Sequence, residues 1–502
     1  MNRTGTSAAV TADMHRKGVD VELALSILTR LEQNDYSSTP TLVRELPGPN
    51  DPAVIDCTGS MRFTVARSAA VDAIGSLGIA VDPVQFATPS GADLSFDESG
   101  LRRLGTALSP FMSYGVLNGG SATSYADSTR NSSFDAALYE YYRGHFSKII
   151  DPVLGRAKGL TPAFVQPDGS AGPSFLELKM RGLLVGTGPE NAIGPLAPHL
   201  PMYQMTSSGN DLEISDAYET YRKSPLIKAL TTPQTPDVTR VSTAVQPLIA
   251  AFSEYQGRWS IFSDAFGRND CVLPLPGGHG QCFATLKPVF QSLRAAGKHW
   301  VLLGNVDNLG NLPKPEHLAL LALTGAPAGF EFAYRTPVDI KGGILVRSEG
   351  NRLTCADIGP AISRADVLAA ERDGAKILFN CATGLFSLDY LEVHIDRIIA
   401  ELPLRVSKQE KDAGVYWQAE QITWEVISLM ENPLVFGVDK YERFLAAKLF
   451  VECLLTSGIG LDDPRFPASD EIRATAVLLN AGLQRLLGSV YGMIKRGGVW
   501  AP

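Results

Sequence analysis

Residues Ser113 to Asn131 read SYGVLNGGSATSYADSTRN. The stretch opens as a buried strand, turns through two glycines, and continues with small hydroxyl residues and an arginine. Glycines directly after a strand let backbone approach a ligand closely and offer N–H groups to anionic oxygens. Two familiar nucleotide loops fail on spacing, since neither G-x-G-x-x-G nor G-x-x-x-x-G-K-[ST] is present here. Around it, short apolar or β-branched runs alternate with helical patterns. FMSYGVLNGG, AFVQPDG, PMYQMTSS, KHWVLLGNVDNLG, FEFAYRT, GGILVRSEGNRLTCADIG and KILFNCATGLFSL read as strands, with SFLELKMRGLL and PKPEHLALLALTG as helices between them. That alternation predicts an α/β fold with a mixed, mostly parallel sheet.

Ligands of open α/β sheets bind beyond the carboxyl ends of the strands, so residues just after a strand carry most weight. Two places qualify: Leu117-Asn118-Gly119-Gly120, and Asp307 after the apolar run Trp300 to Val306. A carboxylate there suits Mg²⁺, which takes oxygen ligands and is often held by one or two carboxylates plus substrate phosphates.

Composition narrows the classes. The chain has 502 residues, 45% of them apolar, and a formal charge of -8. It is long enough for several domains, and no dense Lys/Arg stripe marks a nucleic-acid binder. Six scattered cysteines without a CxxC pair indicate neither a disulfide framework nor a zinc site. With no signal-peptide pattern and no apolar run of membrane-spanning length, no membrane partner is expected and the default compartment is cytoplasmic. The first dozen residues read as disordered, residues 1–108 as a helical N-terminal region in which PSGADLSFDESGLRRLGTAL is a turn and a helix, and residues 406–502 as a small, mostly helical domain.

The order of nine segments is more specific than any one motif. VLNGGSATS, AKGLTPAF, GPSFLELK, MYQMTSS, GGHGQCF, GNVDNLG, KGGILVRSEG, FNCATGLFSL and ERFLAAKLFVECLL, spread over roughly 109–457, resemble in this order the UTP–sugar-1-phosphate uridylyltransferase family of UDP-glucose pyrophosphorylase type. The resemblance implies a Rossmann-like nucleotidyltransferase domain over 109–405, with Mg²⁺ as cofactor and UTP and a sugar 1-phosphate as substrates. It places the Leu117, Asn118, Gly119, Gly120 and Thr123 backbone, with Met205 and Gly278, against the nucleotide. Lys158, Asp307 and Lys448 become the catalytic residues, Asp307 as the metal ligand. His279, Gly343, Asn380, Asp357 and Glu420 fall to the sugar phosphate. Glucose 1-phosphate is favoured, because LNGG and DNLG look like the UDP-glucose branch. A UDP-N-acetylhexosamine pyrophosphorylase and a catalytically silent nucleotide-sugar sensor are the alternatives.

Three departures qualify the resemblance. Residues 121–157, 37 in all, separate Gly120 from Lys158, where the family has only a few. This insertion, centred near 125–156, reads as helical and adds Arg130, Arg143, Lys148 and Arg156 as basic residues that could approach a triphosphate. Ala122-Thr123-Ser124 replaces a glycine-led signature, and Arg181-Gly182 stands where relatives place glutamines that read the base. Nothing after Ser457 resembles the β-helical tail through which relatives oligomerise, so a monomer or weak dimer is expected.

Overall fold

The computed structural model describes residues 6–37, 41–186, 200–233, 235–336 and 338–502. Its centre is a ten-stranded mixed sheet. Eight strands run across it in the order Val54–Asp56, Leu434–Val438, Ala328–Tyr334, Leu378–Ser387, Trp300–Asn305, Met112–Leu117, Met202–Ser207 and Val241–Gln246. Five of the seven neighbouring pairs are parallel, and Leu378–Ser387 is antiparallel to both its neighbours. The hairpin Gly343–Arg347/Leu353–Asp357 joins the sheet through an Ile344 to Phe379 pairing.

The apolar strands run unbroken because both faces are covered. Successive side chains point to opposite faces, so Trp300 and Leu302 enter one core while Val301 and Leu303 enter the other. Helices Glu98–Leu108, Phe175–Gly186 and Pro315–Thr324 contribute to the first core, and Cys282–Ala295 with Leu388–Glu401 to the second. Local chemistry sets helix ends: Asp97 accepts from Gly100 N at 2.7 Å, and Gly325 closes Pro315–Thr324 at φ 65°.

Several readings of the sequence are corrected. The segment after residue 405 is not helical at its start: Leu404–Lys411 and Gly414–Gln421 form a hairpin that extends Phe252–Tyr255 and Arg258–Ile261. VYWQAEQ has the aromatic and β-branched content of a strand, and its alternation was masked because the sheet is covered unevenly, by the helices Ala8–Arg16 and Val21–Glu32 on one side. Leu434–Val438 lies inside the central sheet, so a division at residue 405 cuts across one core. The N-terminal region, read as helical, likewise supplies Val54–Asp56 to that sheet, and Arg62–Ala66, Thr88–Ser90 and Asp93–Asp97 build a three-stranded sheet; the turn and helix expected of PSGADLSFDESGLRRLGTAL are present, the helix as Glu98–Leu108, with strands flanking the turn. Helix begins already at Ala8, and residues 1–5 lie outside the described residues. AFVQPDG makes only an isolated Val165 to Ala171 bridge, its turn closed by Gln166 N donating to Ser170 O at 2.8 Å.

Candidate active site

The parallel strands Met112–Leu117, Met202–Ser207 and Trp300–Asn305 end at one edge of the sheet, and the chemistry gathers beyond them. An open cavity of about 640 Å³ is lined there by Gly120, Lys158, Asp307 and Lys448, four residues far apart in sequence.

The insertion leaves the loop intact because its two ends meet. Lys158 N donates to Gly120 O at 3.0 Å, Ala122 N to Arg156 O at 2.9 Å, and Ser121 bridges to Ala157. Gly120 and Lys158 are therefore neighbours, as a short loop would make them. Ala122 is fully buried at φ -76°, so its Cβ is accommodated without strain. The expected helical content holds: Ser128–Phe134 and Ala136–His145 are α-helices. Of the four basic residues, Arg130 lines the cavity, Arg143 pairs with Glu140, and Arg156 pairs with Glu213.

The two lysines differ. Lys158 is buried, donates to Ala447 O at 2.8 Å, and sits 3.6 Å above the centre of the Tyr125 ring. Burial holds its pKa below the usual lysine range, opposed by the negative charge of Asp307. Lys448 is exposed on the cavity lip, and its charge reaches His279. A fixed cation and a mobile one thus face the same space.

Asp307 and Glu452 are the carboxylates on the cavity wall. Both N–H groups of Lys448 and Leu449 donate to Glu452 Oε2 at 2.8 Å, so Glu452 serves as a cap and Asp307 is the carboxylate suited to a ligand. Among the described residues no cluster of three or more His, Cys, Asp or Glu forms a metal cage. A single carboxylate sharing an open cavity with two lysines fits Mg²⁺ as one protein ligand, the remaining ligands being phosphate oxygens and water where a phosphate is bound.

Asn308, fully buried, fixes Asp307 against the segment leading to Lys448. Its Nδ2 donates to Arg443 O at 2.9 Å, and its Oδ1 accepts Gly310 N at 3.0 Å and Leu445 N at 3.2 Å. Beneath it the Lys179 ammonium is wholly buried and donates to Asn308 O and to Asn311 O. Arg443 in turn is held by Glu331, at 2.6 Å, with His317 on the same carboxylate at 3.0 Å. Sequence reading missed this scaffold, although Lys179 and Asn308 both lie in quoted motifs; a lysine on an apolar helix face was the available signal.

Along the glycine loop, Asn118 is a scaffold rather than an open ligand. Its N–H donates to Met205 O at 2.8 Å and its Nδ2 to Gln204 Oε1 at 3.2 Å, which turns the side chain into the core. Met205 and Leu117 are buried as well, leaving Gly119 and Gly120 as the exposed part of the loop, with Thr123 bonded to Ser121 at 2.7 Å. Gln246 was not foreseen: its Nε2 donates to Gly278 O at 2.8 Å and to Gln281 Oε1 at 2.7 Å, and it lies beside Gly119. Gly278 has φ 81°, and a Cβ there would strike Gln421 O, so glycine is required. Arg181 does not approach this region. Its guanidinium is spent on Tyr491 O and Gly492 O, at 2.6 and 2.7 Å, tying the C-terminal segment to the helix.

His279 accepts Thr423 N at Nδ1, 3.1 Å away, which leaves the neutral ring's proton on Nε2. Burial and the charge of Lys448 lower its pKa to about 4. Gly343, Asp357 and Asn380 converge from three strands: Gly343 is paired with Asp357, and a Cβ on Gly343 would run into Cys355 Sγ, which accepts from Asn380 Nδ2 at 3.3 Å. This trio adjoins the Asp307 loop, since Asn308 Nδ2 also reaches Cys381 O at 3.4 Å. Glu420 lies apart from it, under Gly278, and accepts from Gln418 at 2.9 Å. Burial, with the charge of Asp357 adding to it, pushes the Glu425 carboxyl up; Glu425 pairs with Arg405, and its buried Oε2 has no hydrogen-bond partner among the described residues. Tyr416, on the strand Gly414–Gln421, and Trp424, packed in the core with Cys282–Ala295 and Leu388–Glu401, are both buried and form no exposed stacking platform.

The fold is that of the UDP-sugar pyrophosphorylases. A UDP-N-acetylglucosamine pyrophosphorylase from Trypanosoma brucei superposes with a TM-score of 0.56 at 17% identity, covering 94% of this chain and 78% of that one. UDP-glucose pyrophosphorylase from Leishmania major, solved as a mutant with UDP-glucose, gives 0.54 at 15% identity over 90% and 79%. Residues 263–458 match the family model UDPGP, described as UTP–glucose-1-phosphate uridylyltransferase, which upholds the family resemblance read from the nine segments. A probable UTP–glucose-1-phosphate uridylyltransferase of Schizosaccharomyces pombe is 35% identical over 78 residues, a stretch that covers 15% of this chain and 15% of that relative.

Proposed function

We propose that the chain is a magnesium-dependent uridylyltransferase that joins UTP and a hexose 1-phosphate into a UDP-sugar and releases diphosphate. The observation that carries this reading is the convergence of Gly120, Lys158, Asp307 and Lys448 on one cavity at the carboxyl ends of the parallel strands. Such a reaction brings two polyanions together and disperses charge on a leaving group, so positioning and electrostatics dominate it. The sugar phosphate oxygen attacks the α-phosphorus and the bond to the bridging oxygen breaks. Lys448, exposed and long, can follow a phosphate that moves; Lys158, buried against Tyr125, holds one that does not. Mg²⁺ bound at Asp307 would supply charge neutralisation on the phosphates. His279 remains neutral at physiological pH and presents an N–H donor. Gly343, Asn380 and Asp357 would read sugar hydroxyls, with Glu425 behind them.

Glucose 1-phosphate is the favoured acceptor, on the resemblance of LNGG and DNLG. A monomer or weak dimer in the cytoplasm completes the proposal; sedimentation showing a stable octamer would remove its assembly part. Among the described residues no helix is long and apolar enough to cross a membrane. The test is pyrophosphate release with magnesium, crossing four nucleoside triphosphates against glucose, galactose, N-acetylglucosamine and mannose 1-phosphates. Turnover with UTP and glucose 1-phosphate supports the reading. Preference for the N-acetylated sugar moves the chain to the amino-sugar branch, and silence with intact UDP-sugar binding makes it a sensor.

A further inference from the structure

The insertion that interrupts the glycine loop is part of the cavity wall. Tyr125, Thr129, Arg130, Ser133 and Phe134 line the same cavity as Lys158 and Lys448, and their spacing puts them along one side of the Ser128–Phe134 helix and the turn before it. That helix is anchored. Asn131, wholly buried, accepts Val451 N at 3.0 Å through Oδ1 and donates to Tyr125 O and Asp127 O, at 3.0 and 2.8 Å, through Nδ2. Val451 is three residues beyond Lys448, so the insertion and the mobile lysine share a mount. Tyr125 packs on Phe450 at 5.6 Å between ring centres while its face holds the Lys158 ammonium. Across the cavity stands Lys341.

We propose that Arg130, with Ser133 beside it, is a specificity-determining contact to the diphosphate leaving group, supplied by the insertion. The inference rests on the uridylyltransferase reading above. When the sugar phosphate oxygen bonds to the α-phosphorus, the bond from that phosphorus to the bridging oxygen breaks and the β- and γ-phosphates leave together carrying the electron pair. The site therefore has to receive a small, highly charged anion. An arginine fork matches phosphate oxygens two at a time, which a lysine cannot do. Arg130 lines the cavity with its side chain 64% exposed, so an arriving phosphate can reach the guanidinium. Ser133, one turn further along, donates its hydroxyl to Thr129 O at 2.7 Å and lines the wall beside Arg130.

The test uses the full chain in the reverse direction, with UDP-glucose and magnesium pyrophosphate as substrates. Arg130→Gln is expected to raise the KM for pyrophosphate by about tenfold or more while the KM for UDP-glucose stays within about twofold, and Arg130→Lys to fall between. Arg143→Gln, outside the cavity, should change neither. An unchanged pyrophosphate KM, or an equal rise in both KM values, overturns the proposal. Calorimetric titration of magnesium pyrophosphate into the unaltered chain and Arg130→Gln separates this from failure of the activity. Weaker binding in the variant supports the contact even without turnover; equal binding, or none to the unaltered chain, refutes it.

Discussion

Replacing Asn308 by alanine would uncouple the carboxylate at 307 from the lysine at 448. The side chain bonds Arg443 O, Gly310 N and Leu445 N, at 2.9, 3.0 and 3.2 Å, inside a region without water access. Alanine leaves two N–H groups and one carbonyl buried without that partner, and removes the longer contact to Cys381 O at 3.4 Å as well. At the low end of about 1 kcal/mol for each orphaned group, the loss is about 3 kcal/mol, a large part of a domain's net stability. The damage is local, because Leu309 N to Leu445 O at 3.0 Å and the Lys179 bonds still hold the neighbourhood. A displacement on the order of 1 Å between reacting groups lowers turnover about a hundredfold, so that is the expected fall for Asn308→Ala.

A double-mutant cycle gives the assay. If Asn308 acts by placing Lys448, then Asn308→Ala added to Lys448→Ala should slow turnover by no more than about twofold beyond Lys448→Ala alone. Hydrogen exchange should accelerate in peptides covering 306–311 and 443–449 and not in the distant hairpin 404–421. Losses that multiply independently, or unchanged exchange in the two loops, would refute the coupling.

Four further outcomes follow from the same geometry. Asp307→Ala should abolish magnesium-dependent pyrophosphate release while calorimetry still detects UDP-sugar binding. Gly343→Ala should raise the KM for the sugar phosphate, since its Cβ collides with Cys355 Sγ; adding Cys355→Ala should restore part of the loss, and no rescue would sink the steric account. Glu331, brought to about 2 because Arg443 and His317 outweigh its burial, is the counter-charge of a buried arginine, so Glu331→Gln should destabilise by about 3–5 kcal/mol, read by chemical denaturation. For His279 the unfolded chain takes up a proton near the usual histidine value of about 6.5, whereas the folded chain does so only at about 4. The stabilising contribution is therefore present above the first value and lost as pH falls through the second, and His279→Asn should flatten that part of the stability profile.

The strands around the site were legible because they are buried on both faces and closed by turn residues; LLGNVDN announces both the strand and the carboxylate beyond it. Where the sequence misled, cover was uneven. VYWQAEQ belongs to a hairpin with helices on one side, and its burial does not alternate cleanly, so a helical period fitted as well. Asn118 illustrates a different limit: its position after the strand was right, but only the structure reveals that its N–H is committed to Met205 O and that Gly119 and Gly120 do the exposing. Gln246 and Glu425 sit in no distinctive motif, and what singles them out is three-dimensional: contact with Gly278 in one case, an unpartnered buried oxygen in the other.

An excursion of 37 residues inside the glycine loop would be expected to break it open, and the reason it does not lies in where the chain re-enters. The Gly120 O to Lys158 N bond and the Ser121 to Ala157 bridge close the excursion at its base, so the glycine loop is as short in space as if residues 121–157 were absent. Closure alone would make the insertion an ornament. The anchoring of Asn131 to Val451 and the stacking of Tyr125 on Lys158 do more, because each joins the insertion to one of the two lysines that face the cavity. The excursion is thus tied to the fixed cation at one end and to the mount of the mobile cation at the other, and any change in its packing is felt at both before it is felt in the sheet.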